Sequence, residues 1–138
     1  MAGKNAVLGG GGFHHVALKV QDFEAAVQFY KALGCTEKIA WGEGNGRAVM
    51  LDTGAGDYLE IFAGGSGAPQ PEGVVTHFAL RTANCDAALA AARAAGAQVT
   101  MEPQNVDIPS RPARTPVRIA FCKGPGGEVI EFFQNELT

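Results

Sequence analysis

The sequence predicts an α+β chain made of two β-α-β-β-β modules, and three observations predict it. The first is an internal repeat. HVALKVQDFEAAVQFYKALG (15–34) set over HFALRTANCDAALAAARAAG (77–96) gives seven identities in twenty positions without a gap. They are His15/His77, Ala17/Ala79, Leu18/Leu80, Ala25/Ala87, Ala26/Ala88, Ala32/Ala94 and Gly34/Gly96, while Lys19/Arg81, Asp22/Asn84, Glu24/Asp86 and Lys31/Arg93 keep their chemical type. The second is that the later halves also align. Thirteen residues separate Arg47 from Glu60 and Arg118 from Glu131, and Gly56 falls on Gly127. The third is a change of period within each copy, from strand alternation to helical spacing and back.

Taken in order, residues 14–20 alternate and are bounded by glycine upstream, which reads as a strand. Asp22 is a helix N-cap, Ala26, Phe29, Tyr30 and Leu33 recur at helical spacing, and Gly34 closes the helix. Three short strand candidates follow near 37–42, 47–52 and 57–63, separated by glycines. The second copy repeats the order, but Ala88, Ala91, Ala92 and Ala95 replace the bulky helical stripe, so that helix can lie unusually close to its sheet. Thirteen residues run from Gly34 to Arg47 and twenty-two from Gly96 to Arg118; the nine extra residues fall around PQNVDIPSRPARTP, whose prolines predict a loop. The expected organisation is a flexible lead-in at 1–12 and one domain over 13–138. Within that domain, module one covers 13–63, a Gly/Pro linker 64–74, and module two 75–134.

Composition narrows the function. A chain of 138 residues is long enough for one domain with a core. A formal net charge of −3 and no basic run argue against nucleic acid or an anionic membrane as partner. No apolar run is long enough to span a bilayer, and MAGKNAVLGGGG is not a secretory signal. The GGGG run lacks the Gly-Lys-Ser/Thr of a phosphate loop. Three cysteines, Cys35, Cys85 and Cys122, with no CxxC spacing, point to reduced thiols in a cytoplasmic protein rather than to disulfides or a cysteine zinc site.

The repeat also selects candidate site residues. Alternation puts Val16, Leu18 and Val20 under the helix and His15, Ala17 and Lys19 on the other face; His14 belongs with the apolar face or frays at its start. His77 matches His15, whereas Thr76 matches His14, so the repeat selects His15. In the last strands Leu59 and Ile61, and Ile130 and Phe132, face the helix. Tyr58, Glu60 and Phe62, and Val129, Glu131 and Phe133, face away. Each module therefore offers one histidine and one glutamate opposite its helix. If the two sheets curve together, two imidazoles and two carboxylates converge, and a divalent cation compensates their burial. Arg47 and Arg118, at matching positions, are candidates for an anionic substrate tail or for strand-edge surface residues. Trp41 has no assignable role.

HVALKVQDFEAAVQFYKALG and GPGGEVIEFFQ resemble the opening strand and helix and the closing strand of the vicinal oxygen chelate superfamily, the glyoxalase I, bleomycin-resistance and dioxygenase fold. The resemblance implies paired βαβββ modules forming a half-open, U-shaped barrel around one divalent metal ion. Its four ligands fall on His15, Glu60, His77 and Glu131. It implies a metal-dependent lyase or isomerase of glyoxalase type, in which proton transfer through a metal-bound enediolate acts on an α-hydroxy carbonyl or thioester, as in lactoylglutathione formation. Glu131 is then the mobile base, with Glu60 assisting. The metal is Ni, Co, Zn, Mn or Fe, and a thiol is a possible co-substrate. Lys19, standing where bacterial relatives place an arginine for glutathione, joins Tyr58, Phe62, Arg118 and Phe133 as weaker substrate-binding candidates. A homodimer with sites near the subunit boundary is a further implication. Two alternatives stay open: a drug-binding resistance protein of the same fold and, less favoured because of the fourth protein ligand, an extradiol dioxygenase.

Overall fold

The computed structural model describes residues 6, 7, 9, 13–68, 73 and 75–138. The expected lead-in at 1–12, apart from Ala6, Val7 and Gly9, lies outside the described residues, as do residues 69–72 and 74 of the expected linker. The chain divides into two compact units between Ser66 and Gly67.

The first unit contains β1 (His15–Lys19), α1 (Phe23–Ala32), β2 (Thr36–Trp41), β3 (Ala48–Asp52) and β4 (Tyr58–Phe62). Its sheet has the order β1-β4-β3-β2, with β1 parallel to β4 and the other neighbours antiparallel. Helix α1 starts where the Asp22 carboxylate accepts from the Ala25 N–H at 3.0 Å, one of the donors that a first turn leaves without an intrahelical partner. It ends at Gly34, whose φ of +94° lies in the left-handed region that terminates helices. The helix covers the face holding Leu59 and Ile61, which are buried with Ala26, Phe29 and Tyr30. Burying a side chain of that size contributes about 1.5–3 kcal/mol.

The second unit repeats the plan with β5 (Phe78–Arg81), α2 (Cys85–Ala94), β6 (Gln98–Ile108), β7 (Thr115–Lys123) and β8 (Val129–Gln134). Its order is β5-β8-β7-β6, again with one parallel pair, β5 and β8. Asn84 caps α2 by accepting from the Ala87 N–H at 3.0 Å, and Gly96 ends the helical segment at φ +100°. The alanine stripe lets the α2 backbone approach β6, β7 and β8, whereas α1 approaches chiefly β4. Both sheets are open, with β1 and β2 at the edges of one and β5 and β6 at the edges of the other. Two βαβββ modules of an α+β chain are thus the observed architecture.

One expectation is corrected. The proline-rich insertion is not mainly a loop: β6 runs to Ile108 and β7 starts at Thr115, leaving only 109–114 between them. The prolines are tolerated because of where they fall. Pro103 sits in an irregular stretch of the edge strand β6. Pro116 lies beyond Arg118, the last β7 residue paired with β8, so its missing N–H costs no ladder bond on that side. Among the described residues no helix is long and apolar enough to cross a membrane.

Candidate functional site

Each unit builds the same two-residue arrangement. In the first, β1 and β4 run parallel with Ala17 opposite Glu60 and His15 opposite Tyr58. His15 therefore reaches diagonally to Glu60 on the face away from α1, and its Nε2 lies 3.1 Å from Glu60 Oε2. In the second, Ala79 lies opposite Glu131, and His77 Nε2 reaches Glu131 Oε2 at 3.0 Å across the same diagonal. The glutamates are the covered members: their side chains are 12 and 11 % exposed, against 41 and 38 % for the histidines. Glu131 is the buried charged residue among those described. A carboxylate withdrawn from water needs compensation, and among the described residues each of these two has one side chain within ion-pair distance, its own histidine.

The surroundings differ between the units. His77 is edge-on to Phe121, with ring centroids 5.4 Å apart, and its Nδ1 is 3.1 Å from Thr76 Oγ1. His15 meets His14, Nδ1 to Nδ1 at 3.0 Å, and the His14 ring also lies 5.2 Å from Tyr58. His14 precedes β1, so its side chain is free of the strand's alternation and reaches the same neighbourhood as His15 rather than the apolar face. Met50, opposite Glu60, and Phe121, opposite Glu131, occupy equivalent positions beneath the carboxylates.

Lys19, Tyr58 and Phe62 share the His15 face, and Phe133 shares the Glu131 face, by strand register. Trp41, which had no reading in sequence, joins the first of these faces through its pairing with Ala48, edge-on to Phe62 at 6.2 Å. Arg81 is a further residue on the Glu131 face, opposite Phe133. Its match to Lys19 in the repeat was the available signal. Neither Lys19 nor Arg81 has an ion pair among the described residues.

Arg118, read in sequence either as a contact for an anionic tail or as a strand-edge surface residue, is engaged within its own unit. It points to the first turn of α2, with Nε 2.5 Å and Nη2 2.8 Å from the Asp86 carboxylate and Nη1 3.1 Å from Asn105 Oδ1. The Arg118 guanidinium holds the Asp86 carboxyl below the usual carboxylate range. Arg47 does the same job in the first unit, donating to Glu24 at 2.7 Å while lying 4.7 Å over the Phe23 ring. Both arginines tie a β-strand to the first turn of its helix. The strands lie under the helices, so a long cation within β7 or just before β3 meets the acid that favours a helix N-terminus.

Each His–Glu pair by itself has the donor types and the spacing of two ligands on one divalent cation. Donor atoms about 2.1 Å from one ion and at right angles stand about 3.0 Å apart, the separation that both His–Glu pairs hold. Imidazole and carboxylate suit Zn, Ni, Co, Mn and Fe. Among the described residues no group of three or more His, Cys, Asp or Glu side chains is placed to hold a metal ion, so what each unit provides is the pair. Two clefts, of about 330 Å³ beside Phe23, Lys31 and Trp41 and about 770 Å³ beside Thr82, Asn105 and Arg118, are lined by neither pair.

Known structures share this fold. A glyoxalase/bleomycin resistance protein/dioxygenase from Alicyclobacillus acidocaldarius superposes with a TM-score of 0.65 at 18% identity, covering 90% of this chain and 91% of that one. An antibiotic-binding protein from a Streptomyces species gives 0.62 at 24%, covering 91% and 97%. A single-substitution variant of glyoxalase I from Zea mays gives 0.66 at 18%, covering 89% of this chain and 44% of that one. At these identities the likeness is one of fold. No curated protein matches the chain significantly. The model of the Glyoxalase/Bleomycin resistance protein/Dioxygenase superfamily matches residues 12–132, a span that takes in both modules and both His–Glu pairs, and the chain belongs to that superfamily.

Proposed function

We propose that this chain is a divalent-metal-dependent lyase or isomerase of the glyoxalase type, acting on an α-hydroxy carbonyl such as a hemithioacetal, or on a thioester. In this reading His15, Glu60, His77 and Glu131 together hold one ion. The observation that carries it is the duplicated His–Glu pair, in which a largely covered carboxylate sits 3.0–3.1 Å from an imidazole nitrogen on the sheet face away from the helix. Copying by duplication preserves a sequence; two copies that keep one geometry while their neighbours diverge argue for a shared task.

When bound, the cation supplies Lewis acidity that makes a C–H beside a coordinated carbonyl acidic. The chain's residues do the rest. His15 and His77 stay neutral and orient through Nε2. A Glu131 oxygen takes the proton from the carbon bearing the hydroxyl and thiol and returns it to the neighbouring carbonyl carbon. The hydroxyl proton passes to the neighbouring oxygen, so a hemithioacetal becomes a hydroxy thioester with no oxidant consumed. Glu60 assists from the other module. Tyr58, Phe62 and Phe133 exclude water from the reacting carbons, and Lys19 and Arg81 receive an anionic tail.

The test is an assay of chelator-stripped and reloaded protein with methylglyoxal and a panel of thiols, glutathione included. Hydroxy-thioester formation that appears with a divalent ion and disappears with chelator is expected. No turnover with any of these ions and thiols would contradict the reading. A second reading, a small-molecule binding protein, is favoured by the aromatic lining around Trp41 and Phe62 and by the antibiotic-binding relative. Such a protein keeps ligand affinity after chelation and in the Glu131→Gln variant.

A further inference from the structure

The residue before each histidine makes a contact that the proposed reaction does not use. Thr76 Oγ1 is 3.1 Å from His77 Nδ1, and His14 Nδ1 is 3.0 Å from His15 Nδ1. The residues differ, yet in both modules the preceding side chain turns back onto the ring nitrogen that faces away from the glutamate. A hydroxyl can donate or accept, and so can a neutral imidazole, so each contact serves either tautomer of its histidine. The other nitrogen, Nε2, lies 3.0 or 3.1 Å from a carboxylate oxygen. Without a cation a neutral ring meets the carboxylate by donating from Nε2, and its Nδ1 then accepts. With a cation the Nε2 lone pair must be free, and the ring proton must sit on Nδ1, donated to its partner.

We propose that Thr76 and His14 are positioning residues that hold the Nδ1 atoms of His77 and His15 in both tautomers, so that each ring exchanges a carboxylate hydrogen bond for a metal bond without turning. The inference rests on the metal-site reading above. Loading moves the proton of each metal-binding ring from Nε2 to Nδ1 through solvent, with no net release; the Thr76 hydroxyl hydrogen swings away to let its oxygen accept, and His14 shifts its own proton from Nδ1 to Nε2 so that its Nδ1 accepts. Outer partners of metal-bound histidines commonly change affinity by about 10–100-fold when removed. The rings here are 41 and 38 % exposed, so water replaces part of the lost contact and the effect falls at the low end of that range.

The experiment compares Thr76→Val, Thr76→Ser and the cross-module swap His14→Thr with wild type. Zinc affinity is measured by chelator competition, and the histidine nitrogens are observed by 15N NMR with the rings neutral. Thr76→Val is expected to bind zinc about tenfold more weakly. Thr76→Ser and His14→Thr should stay within about twofold of wild type, since each keeps a hydroxyl in reach. In metal-free wild type the His77 proton resides on Nε2 and zinc moves it to Nδ1. In metal-free Thr76→Val the Nδ1 resonance shifts toward that of a free, unprotonated ring nitrogen. Equal zinc affinity and equal Nδ1 shifts in wild type and Thr76→Val would overturn the proposal. So would a Thr76→Ser protein as weak as Thr76→Val, which assigns the effect to shape rather than to the hydroxyl. Should wild type take up no divalent ion, the metal-site reading fails by itself, and the metal-free Nδ1 shift still decides whether Thr76 holds the ring.

Discussion

The two modules are copies in plan and strangers in detail, and the difference separates what the site depends on from what the fold merely tolerates. Both keep a His–Glu diagonal across a parallel strand pair, an Asx-capped helix ended by glycine, and an arginine tying a strand to the first turn of that helix. They diverge where shape alone matters. Module one packs Phe29 and Tyr30 beneath α1, while module two brings an alanine-faced helix close to three strands. Met50 answers to Phe121, and a short β2–β3 hairpin answers to a long β6–β7 one. A core accepts different side chains of suitable total volume, whereas a donor pair on one ion accepts only a narrow separation.

On the proposed function the largest effect should come from removing the two glutamates one at a time, because they carry different roles. Glu131→Gln is expected to lower kcat about 10³-fold, as loss of a general base does, with zinc still bound. Glu60→Gln should weaken metal binding more than it lowers kcat. Steady-state kinetics at saturating metal and chelator competition separate the two, and equal kcat losses would erase the assigned asymmetry.

The packing difference makes the modules fail in opposite ways. Phe29→Ala leaves a cavity under α1 and should cost about 3–5 kcal/mol. Ala92→Leu overfills the tight α2 contact and should cost about 1–3 kcal/mol, because Ala92 is fully buried and its helix has no room to withdraw. Urea unfolding measures both, and a neutral Ala92→Leu would show that α2 is not closely seated. At the caps the modules should behave alike. Asp22→Ala and Asn84→Ala each remove an acceptor from a first-turn N–H and should each cost about 1 kcal/mol by the same measurement.

A pH-dependent effect concerns the thiols, one tested in each module. Burial, with the Asp52 charge adding, pushes the Cys35 thiol up to about 11, and burial, with Glu128 adding, does the same for Cys122. A raised thiol pKa means that the unfolded chain loses its protons first. Stability is therefore undiminished below about pH 9 and declines toward pH 11. Urea midpoints at pH 8 and 10.5 should fall in that order, and the Cys35→Ala/Cys122→Ala double variant should flatten the slope.

Much of this was legible because the chain carries its own comparison. The repeat chose His15 over His14, paired Glu60 with Glu131 and assigned the strand faces, since alternation fixes a side chain's face once a strand is recognised. Three features were not legible, each for a physical reason. His14 lies just before β1, where alternation ceases to govern direction. Arg118 and Arg47 were matched in sequence, but their partners depend on where a helix rests over a sheet. The prolines of 103–116 forbid a central strand yet not an edge or an overhang, and sequence does not say which strand is the edge.

The account rests on two half-sites acting on one ion, and metal stoichiometry tests that most directly. Purified protein titrated with a divalent ion should bind one per chain, and His15→Ala or His77→Ala alone should abolish tight binding, because each removes one of four protein donors to a shared ion. Two ions per chain, or a His15→Ala protein that binds as tightly as wild type, would contradict it.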